Sequence, residues 1–367
     1  MRKKFMMGVA VAAITVVGLT ACSSRGTTAG STDGSSIPKG STIGVALPAK
    51  TSQNWVIAGA AFKREIVAAG FKADVQFAAA SGTVADQQSQ ISAMTTKGDK
   101  AIIIGASDGS QLGTQVKAAK ASGATVIAFD RNILNTKNVD YYVSFNNYKV
   151  GQLQGQALLD GLKAEKGKGP YNVELFAGSP DDANAPLFFK GAMSVLEPKI
   201  KDGTLVVKSG QTSFQQTVTQ GWLPQNAQTR MTNILTSTYS SATLDGVLSP
   251  NDTLARAILT ATKAAGKPNP VVTGQDSETA SIPLIMNGTQ YSTIYKDANA
   301  EAQAAVTLVS DLSKGTKPNT VQDKNNNNGV NVVPTVELTP TLVTKANALK
   351  VYKNDSVLGP LARKSAK

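Results

Sequence analysis

The 367-residue chain contains no histidine and one cysteine, and aromatic residues make up only 5% of it. Without histidine it lacks the commonest general base and the commonest transition-metal ligand of proteins. A single cysteine excludes an internal disulfide, a thiolate zinc cluster and an iron–sulfur site. We therefore expect no cofactor and no metal. Composition leaves hydrolysis by paired carboxylates open.

Positive charge is plentiful but dispersed. The formal net charge is +12, and removing the three charges of Arg2-Lys3-Lys4 leaves +9 for the rest of the chain. The remaining Lys and Arg residues form no block interleaved with aromatic residues, so we expect a solvated surface and no nucleic-acid partner.

The N-terminal residues have the form of a secretory leader. Arg2-Lys3-Lys4 precedes an apolar stretch of about 15 residues, which is too short to span a bilayer comfortably. The stretch ends in Leu19-Thr20-Ala21-Cys22, which resembles the lipobox of bacterial lipoproteins. The resemblance implies a signal peptide over 1–21, lipidation of Cys22 and membrane anchoring, followed by a Gly/Ser-rich tether over 22–41. The alternative is an ordinary secretory signal with an incidental cysteine.

From residue 42 the chain alternates short β-branched runs with amphipathic segments of helical length, a pattern typical of parallel α/β folds. The rhythm restarts near residue 171, which predicts two similar α/β lobes with doubly wound, Rossmann-like parallel sheets. The predicted strands are 42–49, 72–78, 100–107, 124–130, 139–147, 171–179, 204–211, 244–252, 270–277 and 290–297.

Polar residues cluster where these strands end, which is where open α/β sheets bind ligands. Carboxylates, Asn amides and an Arg fork match vicinal hydroxyls, and an aromatic ring suits the C–H face of a sugar. No phosphate-loop motif is present, and the acidic residues would repel an anion. The strand-end residues therefore favour a neutral polyol.

Most of these positions also have a structural alternative. Asp130 and Arg131 could form an ion pair, and Lys296 could pair with Asp297. Asn54 or Asp182 could cap a helix, and Trp222 could be core. We expect Asp252 to cap the helix "TLARAIL", which leaves Asn251 as the better ligand candidate.

Several longer stretches resemble the type I periplasmic sugar-binding proteins of ABC transporters, closest to the xylose-binding and glucose/galactose multiple-monosaccharide types. They include "IAFDRNI", "VDYYVSFNNYKVGQLQG", "GWLPQNA", "LSPND" and "YSTIYKD". The resemblance implies two lobes that are joined by three hinge crossings and close over one monosaccharide. It also implies a set of sugar-binding positions: Asn54, Trp55, Asp130, Arg131, Asn184, Trp222, Asn251, Asp276 and Lys296. At Asn54 the family usually has an Arg, and Asn146 stands where relatives often have an Asp.

The resemblance further implies an extracytoplasmic, monomeric receptor that is not an enzyme and that delivers xylose, glucose or a galactose-like sugar to a permease. We expect the N-terminal lobe to comprise 42–146 and 279–320, the C-terminal lobe 147–278 and 321–345, and a tail 346–367. The alternatives are a receptor for a nucleoside or furanosyl signal, or a glycosidase that uses Asp181, Asp182 or Asp276.

Overall fold

The structure, a computed structural model, describes residues 37–50, 52–80, 83–316, 321–322 and 326–366. The expected signal peptide and Cys22 lie outside the described residues. Ile37 is fully buried in the core beside β-branched residues of the first lobe, so the folded body already includes residue 37 and the tether boundary expected at 41 is too late.

The described residues contain thirteen strands. In chain order they are β1 (Thr42–Leu47), β2 (Lys72–Phe77), β3 (Ala101–Ile104), β4 (Thr125–Phe129), β5 (Tyr141–Phe145), β6 (Tyr171–Leu175), β7 (Leu205–Val207), β8 (Gly246–Leu248), β9 (Val271–Val272), β10 (Ser292–Tyr295), β11 (Val321–Gln322), β12 (Thr335–Leu338) and β13 (Thr341–Thr344). The ten predicted strands are all present. Most are shorter at their carboxyl ends, because the chain leaves the sheet there to form the polar loops.

Twelve α-helices connect or cover these strands in the described residues, and none of them is long and apolar enough to cross a membrane. They are α1 (Gln53–Ala68), α2 (Thr83–Lys97), α3 (Gly113–Ala121), α4 (Asn147–Glu165), α5 (Ala185–Lys201), α6 (Phe214–Thr217), α7 (Pro224–Thr238), α8 (Asp252–Ala264), α9 (Ile282–Asn287), α10 (Ala298–Ser313), α11 (Ala348–Val351) and α12 (Leu358–Ser365).

Two parallel sheets define two lobes. The first has the order β11-β12-β5-β4-β3-β1-β2, in which only the β11–β12 pair is antiparallel. The second has the order β7-β6-β8-β9 and is wholly parallel. Strands such as β3, with four consecutive buried apolar residues, are apolar on both sides because helices cover both faces of the sheet. The predicted α/β architecture of two doubly wound lobes is confirmed.

Each sheet has a core on either side. In the first lobe, Phe62 of α1 and Val306 of α10 pack on one face, and Met94 of α2 packs on the other. In the second lobe, α4 and α5 cover one face, and α7 and α8 cover the other. These layers leave the carboxyl ends of the strands uncovered by helices, and the polar loops occupy those ends.

Helices α4 and α5 of the second lobe pack with almost no space between their backbones. A Cβ added at Gly151 would lie 1.9 Å from the carbonyl oxygen of Phe188, and one added at Gly191 would lie 2.1 Å from that of Tyr148. Any larger residue would push the helices apart. This close contact fixes the N-terminal turn of α5, which carries Phe188 into the region between the lobes.

The chain passes between the lobes three times: between β5 and α4, between β10 and α10, and between β12 and β13. The first crossing lies at the expected boundary near residue 146. The boundaries expected at 278 and 320 are wrong. Tyr291 and Ile294 bond to the second lobe through Val272 and Asp276, and β12 pairs with β5 of the first sheet.

The segment 346–367 is likewise not a tail in its described part, 346–366. Helices α11 and α12 bury Tyr352, Leu358 and Ala362 against Ile282 and Met286 of α9. The segment is therefore a helical cap on the second lobe, a feature that short helices without a long apolar period did not reveal in the sequence.

Candidate functional site

A cavity of about 350 Å³ lies between the lobes, at the carboxyl ends of strands from both sheets. All nine sequence-predicted site residues line it. They come from loops and helix starts separated by up to about 240 positions along the chain, and the structure brings them to one place. The location matches the general rule for ligand sites in open α/β sheets.

Three of the nine residues have left-handed backbone conformations although none is glycine: Asp130 (φ 57°), Trp222 (φ 55°) and Asp276 (φ 86°). Such conformations cost on the order of 1–3 kcal/mol each and persist only where surrounding bonds impose them. At Asp130 the carbonyl oxygen accepts hydrogen bonds from the Tyr142 hydroxyl at 2.6 Å and the Ser144 hydroxyl at 2.8 Å. The strain is therefore concentrated at the cavity wall.

Both cations of the cavity are paired with carboxylates. Arg131 Nε lies 3.0 Å from Asp182 Oδ2, which joins the first lobe to the second. Lys296 Nζ lies 3.1 Å from Asp276 Oδ1 and 3.8 Å from Asp130 Oδ2. The two ion pairs proposed from sequence adjacency are wrong, because adjacent side chains point in different directions. Asp297 instead caps α10 by accepting from the Asn299 amide at 2.9 Å.

Burial and the neighbouring carboxylates together set the charge states around Lys296. Burial alone would lower the pKa of Lys296, but the nearby Asp276 and Asp130 outweigh it and raise that pKa above its ordinary value. Glu301, in the first turn of α10, is buried close by. Burial, followed by the charge of Asp130, raises the pKa of Glu301 well above its ordinary range and favours its neutral acid form. Lys296 thus stays charged between two carboxylates.

Trp222 presents a partly exposed indole to the cavity. Its ring lies directly on the backbone of Gly178, where an added Cβ would be 2.1 Å from Cζ2. The indole Nε1 donates to Asp182 Oδ2 at 3.1 Å, so this oxygen accepts from Trp222 and also pairs with Arg131. This fixed orientation leaves part of the ring free to meet a ligand face.

Trp55 is a different kind of aromatic residue. It is only 5% exposed and packs edge-to-face on Phe129 at a centroid distance of 6.5 Å. The Arg131 guanidinium lies over its ring at 5.4 Å. Although Trp55 lines the cavity, its main contacts therefore position Arg131.

Asn184 is occupied by bonds within the protein. Its Oδ1 accepts from Asn147 Nδ2 at 2.9 Å and from the Tyr142 hydroxyl at 3.2 Å. Its Nδ2 donates to the Asp130 carbonyl oxygen at 2.9 Å. The residue ties the lobes together beneath the cavity, a role that sequence position alone did not reveal.

The helix cap expected at Asp252 is Asn251, which also lines the cavity, whereas Asp252 does not line it. Asn251 is the helix cap, because its Oδ1 accepts from the Leu254 amide at 2.9 Å, and its Nδ2 remains available on the cavity wall. Asp252 is fully buried and accepts from Gln290 Nε2 at 2.7 Å and from Thr293 Oγ1 at 3.0 Å. The expectation that Asp252 is the cap is wrong.

Asn54 is not a helix cap, because α1 is preceded by Ser52. Asn54 occupies the first turn of α1, half-buried, and lines the cavity. The Asp182 carboxylate is not available to a ligand, because it pairs with Arg131 and accepts hydrogen bonds from Trp222 Nε1 and the Asn184 amide.

Two further residues line the cavity that were not among the predicted sugar-binding positions, and each has a buried polar atom without a partner. Gln275 Oε1 and Ser107 Oγ are buried without a hydrogen-bond partner, and both residues line the cavity. A buried polar atom without a partner is costly unless a ligand or water satisfies it. Ser107 follows β3 and Gln275 follows β9, so their positions after strands could have predicted that they belong to the site.

A comparison with protein families finds a match to the periplasmic binding protein domain over residues 43–317. Among curated relatives, the multiple sugar-binding periplasmic receptor ChvE of Rhizobium radiobacter is 45% identical over 327 residues, covering 86% of this chain and 92% of that protein. The D-xylose-binding periplasmic protein of Escherichia coli K12 is 36% identical over 306 residues, covering 83% of this chain and 87% of that protein.

Among solved structures, an ABC transporter solute-binding protein from Clostridium phytofermentans with bound β-D-glucose superposes with a TM-score of 0.83. It is 36% identical, and the match covers 89% of this chain and 100% of that chain. The fold, the position of the cavity and these matches agree: the chain belongs to the periplasmic binding protein domain family.

Proposed function

We propose that the protein is an extracytoplasmic receptor for a neutral monosaccharide of the xylose, glucose or galactose type, which it binds between its lobes and delivers to an ABC permease. The observation that carries the proposal is the convergence of charged pairs, side-chain amides and two indoles, one of them partly exposed, on a single cavity of about 350 Å³. This volume is near the lower end of the usual range for small-molecule sites, about 300–1,000 Å³.

The cavity offers hydrogen-bond groups of both kinds. Asp130 and Asp276 supply acceptors, Asn251 Nδ2 supplies a donor, and Gln275 Oε1 supplies a buried acceptor without a partner. A sugar hydroxyl both donates and accepts, so it can satisfy each of these groups in turn. Trp222 provides an apolar face for the C–H side of a pyranose ring.

Lobe closure supplies the contact area that a small ligand needs. Micromolar affinity corresponds to about −8.2 kcal/mol, or roughly 0.7 kcal/mol for each of a hexose's twelve heavy atoms. Such efficiency requires contacts on nearly every face of the ring. The Arg131–Asp182 pair at 3.0 Å and the Lys296–Asp130 pair at 3.8 Å join the two lobes around the cavity in this structure.

The other sequence-derived candidates are less well supported. A purine usually requires two stacking aromatic rings, and Trp55 is already covered by Arg131. A glycosidase requires a carboxylic acid that is free to protonate the leaving group. Burial raises the pKa of Asp182 and of Asp276, but each carboxylate is already engaged, with Arg131 and Lys296 respectively. The matched relatives bear the names of binding receptors and not of enzymes.

We further propose that the receptor is a monomer and that a lipid on Cys22 anchors it to the membrane. The lipobox-like residues Leu19-Thr20-Ala21-Cys22 support the anchor. Metabolic labelling with a radioactive fatty acid tests it: we expect label in the full chain and none in Cys22→Ser. Label in both proteins would contradict the proposed anchor site.

Isothermal titration calorimetry of the full chain with D-xylose, D-glucose, D-galactose and adenosine tests the proposed ligand class. We expect saturable binding of at least one sugar with one site per chain, together with a rise in melting temperature at saturating sugar. No heat and no thermal shift with a broad panel of pentoses and hexoses would contradict the assignment. Binding of adenosine alone would favour the nucleoside alternative.

A further inference from the structure

We propose that Tyr352, a residue of the C-terminal helical cap that does not line the cavity, is a positioning residue that holds Asp276 and Lys296 in their binding orientation. The inference rests on the proposed function, since it concerns the same cavity. It assigns a role in ligand binding to the segment 346–366, which the sequence suggested was a tail.

The turn that carries Asp276 is unusually constrained. Asp276 and Ser277 are consecutive non-glycine residues with positive φ, 86° and 50°. Neither would keep this conformation without external bonds, because residues other than glycine rarely adopt it. The orientation of the Asp276 carboxylate therefore depends on whatever restrains the turn.

Backbone groups of the turn are bonded to the second lobe. The Asp276 amide donates to the Ile294 carbonyl oxygen at 2.8 Å, and the Ser277 amide donates to Thr293 Oγ1 at 3.1 Å. These bonds fix the backbone on the side of β10. They do not hold the Ser277 side chain.

Tyr352 supplies that restraint. Its hydroxyl donates to Ser277 Oγ at 2.7 Å, and the two residues are 0% and 4% exposed, respectively. In such a dry environment the loss of this bond would leave a buried hydroxyl without its donor. The bond spans 75 positions of sequence and joins the C-terminal cap to the cavity turn.

The same side chain also supports the other member of the ion pair. The Tyr352 ring packs edge-to-face on Tyr295, with centroids 5.3 Å apart and an interplanar angle of 90°. Tyr295 immediately precedes Lys296. Tyr352 thus contacts the sequence neighbour of each partner in the Lys296–Asp276 pair, whose atoms lie 3.1 Å apart.

Tyr295 provides a matched control. Its half-buried ring packs against the same apolar cluster, and its hydroxyl donates to Asp355 Oδ2 at 2.8 Å and not to the turn. Tyr352→Phe and Tyr295→Phe therefore remove the same group from adjacent rings. Only the first removes a restraint on Asp276.

The experiment measures sugar affinity by calorimetry and melting temperature without sugar, using full-length Tyr352→Phe, Tyr295→Phe, Ser277→Ala and the Tyr352→Phe/Ser277→Ala double variant. The sugar is whichever of D-xylose, D-glucose or D-galactose the unmodified chain binds. We expect Tyr352→Phe and Ser277→Ala each to weaken binding about three- to tenfold, and the double variant no more than either single variant. Tyr295→Phe should stay within about twofold of the unmodified chain even if its melting temperature falls.

Two results would overturn the proposal: unchanged affinity in Tyr352→Phe, or an equal loss of affinity in Tyr295→Phe. The second would show that the cluster acts only through general stability. If the unmodified chain binds no sugar at all, the proposed function fails first, and this result is distinct from either of the other two.

Discussion

A contact between the lobes outside the cavity lining provides a direct test of how closure sets affinity. Gln53, the first residue of α1 in the first lobe, faces Thr279 of the second lobe. Gln53 Oε1 accepts two hydrogen bonds, from the Thr279 amide and from Thr279 Oγ1, each at 3.0 Å. Neither residue lines the cavity. Their bonds exist only when the lobes are together, so they stabilise the closed form and not the sugar contacts.

The magnitude follows from these two bonds. A hydrogen bond contributes about 0.5–1.5 kcal/mol net, and both residues are half-buried, so we take the lower part of this range for each. Gln53→Ala should therefore destabilise the closed form by about 1–1.5 kcal/mol. Apparent affinity scales with the fraction of binding-competent protein, so the dissociation constant should rise about five- to twelvefold.

Calorimetry of Gln53→Ala with the bound sugar measures this change, and Gln53→Glu is the matched control. The carboxylate of Glu keeps an acceptor at the same position, so Gln53→Glu should bind within about threefold of the unmodified chain. Unchanged affinity in Gln53→Ala, or an equal loss in Gln53→Glu, would refute the argument that this contact stabilises closure.

Three further outcomes are expected. Trp222→Ala should weaken sugar binding at least tenfold in calorimetry while circular dichroism stays unchanged, and unchanged affinity would remove Trp222 from the site. D-glucuronate should bind at least tenfold more weakly than D-glucose at pH 7, since Arg131 and Lys296 are already paired with carboxylates, and equal binding in a competition titration would contradict this. Burial, and then the charge of Asp74, raises the pKa of Asp99 to about 6. The folded protein therefore binds a proton on the Asp99 carboxylate more tightly than the unfolded chain does. The stability contributed by the proton is complete below about pH 4 and is lost as the pH rises through 6. Asp99→Asn should therefore raise the free energy of unfolding by about 1 kcal/mol at pH 7, allowing for solvent screening, and by nearly nothing at pH 4. Urea titrations at the two pH values measure the difference, and an equal effect at both would contradict the assignment.

The sequence by itself determined the α/β architecture and the location of the site at the carboxyl ends of the strands. Buried runs such as "AIII" of β3, alternating with helical segments, specified parallel α/β lobes because strands covered on both faces must be continuously apolar. Polar residues after those strands were predicted to meet because the carboxyl ends of parallel strands lie along one edge of a sheet. All nine candidates line one cavity for this reason.

Only the tertiary structure decided which neighbour each of these residues bonds. Arg131 pairs with Asp182 and not with adjacent Asp130, and Asn184 is consumed by bonds to Tyr142, Asn147 and Asp130. Hydrogen bonds depend on distances of about 3 Å between groups that are tens of residues apart in sequence, and no local periodicity encodes such distances.

The lobe boundaries and the C-terminal cap were decided in the same way. Strands β11 and β12 are only two and four residues long, so their membership in the first sheet depends on the pairing of β12 with β5 and of β11 with β12, and not on their own pattern. The sequence did not predict the role of Tyr352, because its hydroxyl reaches Ser277 only through a contact between residues 75 positions apart. The position and role of such short elements depend on the distant residues that they contact, and these contacts exist only in the folded chain.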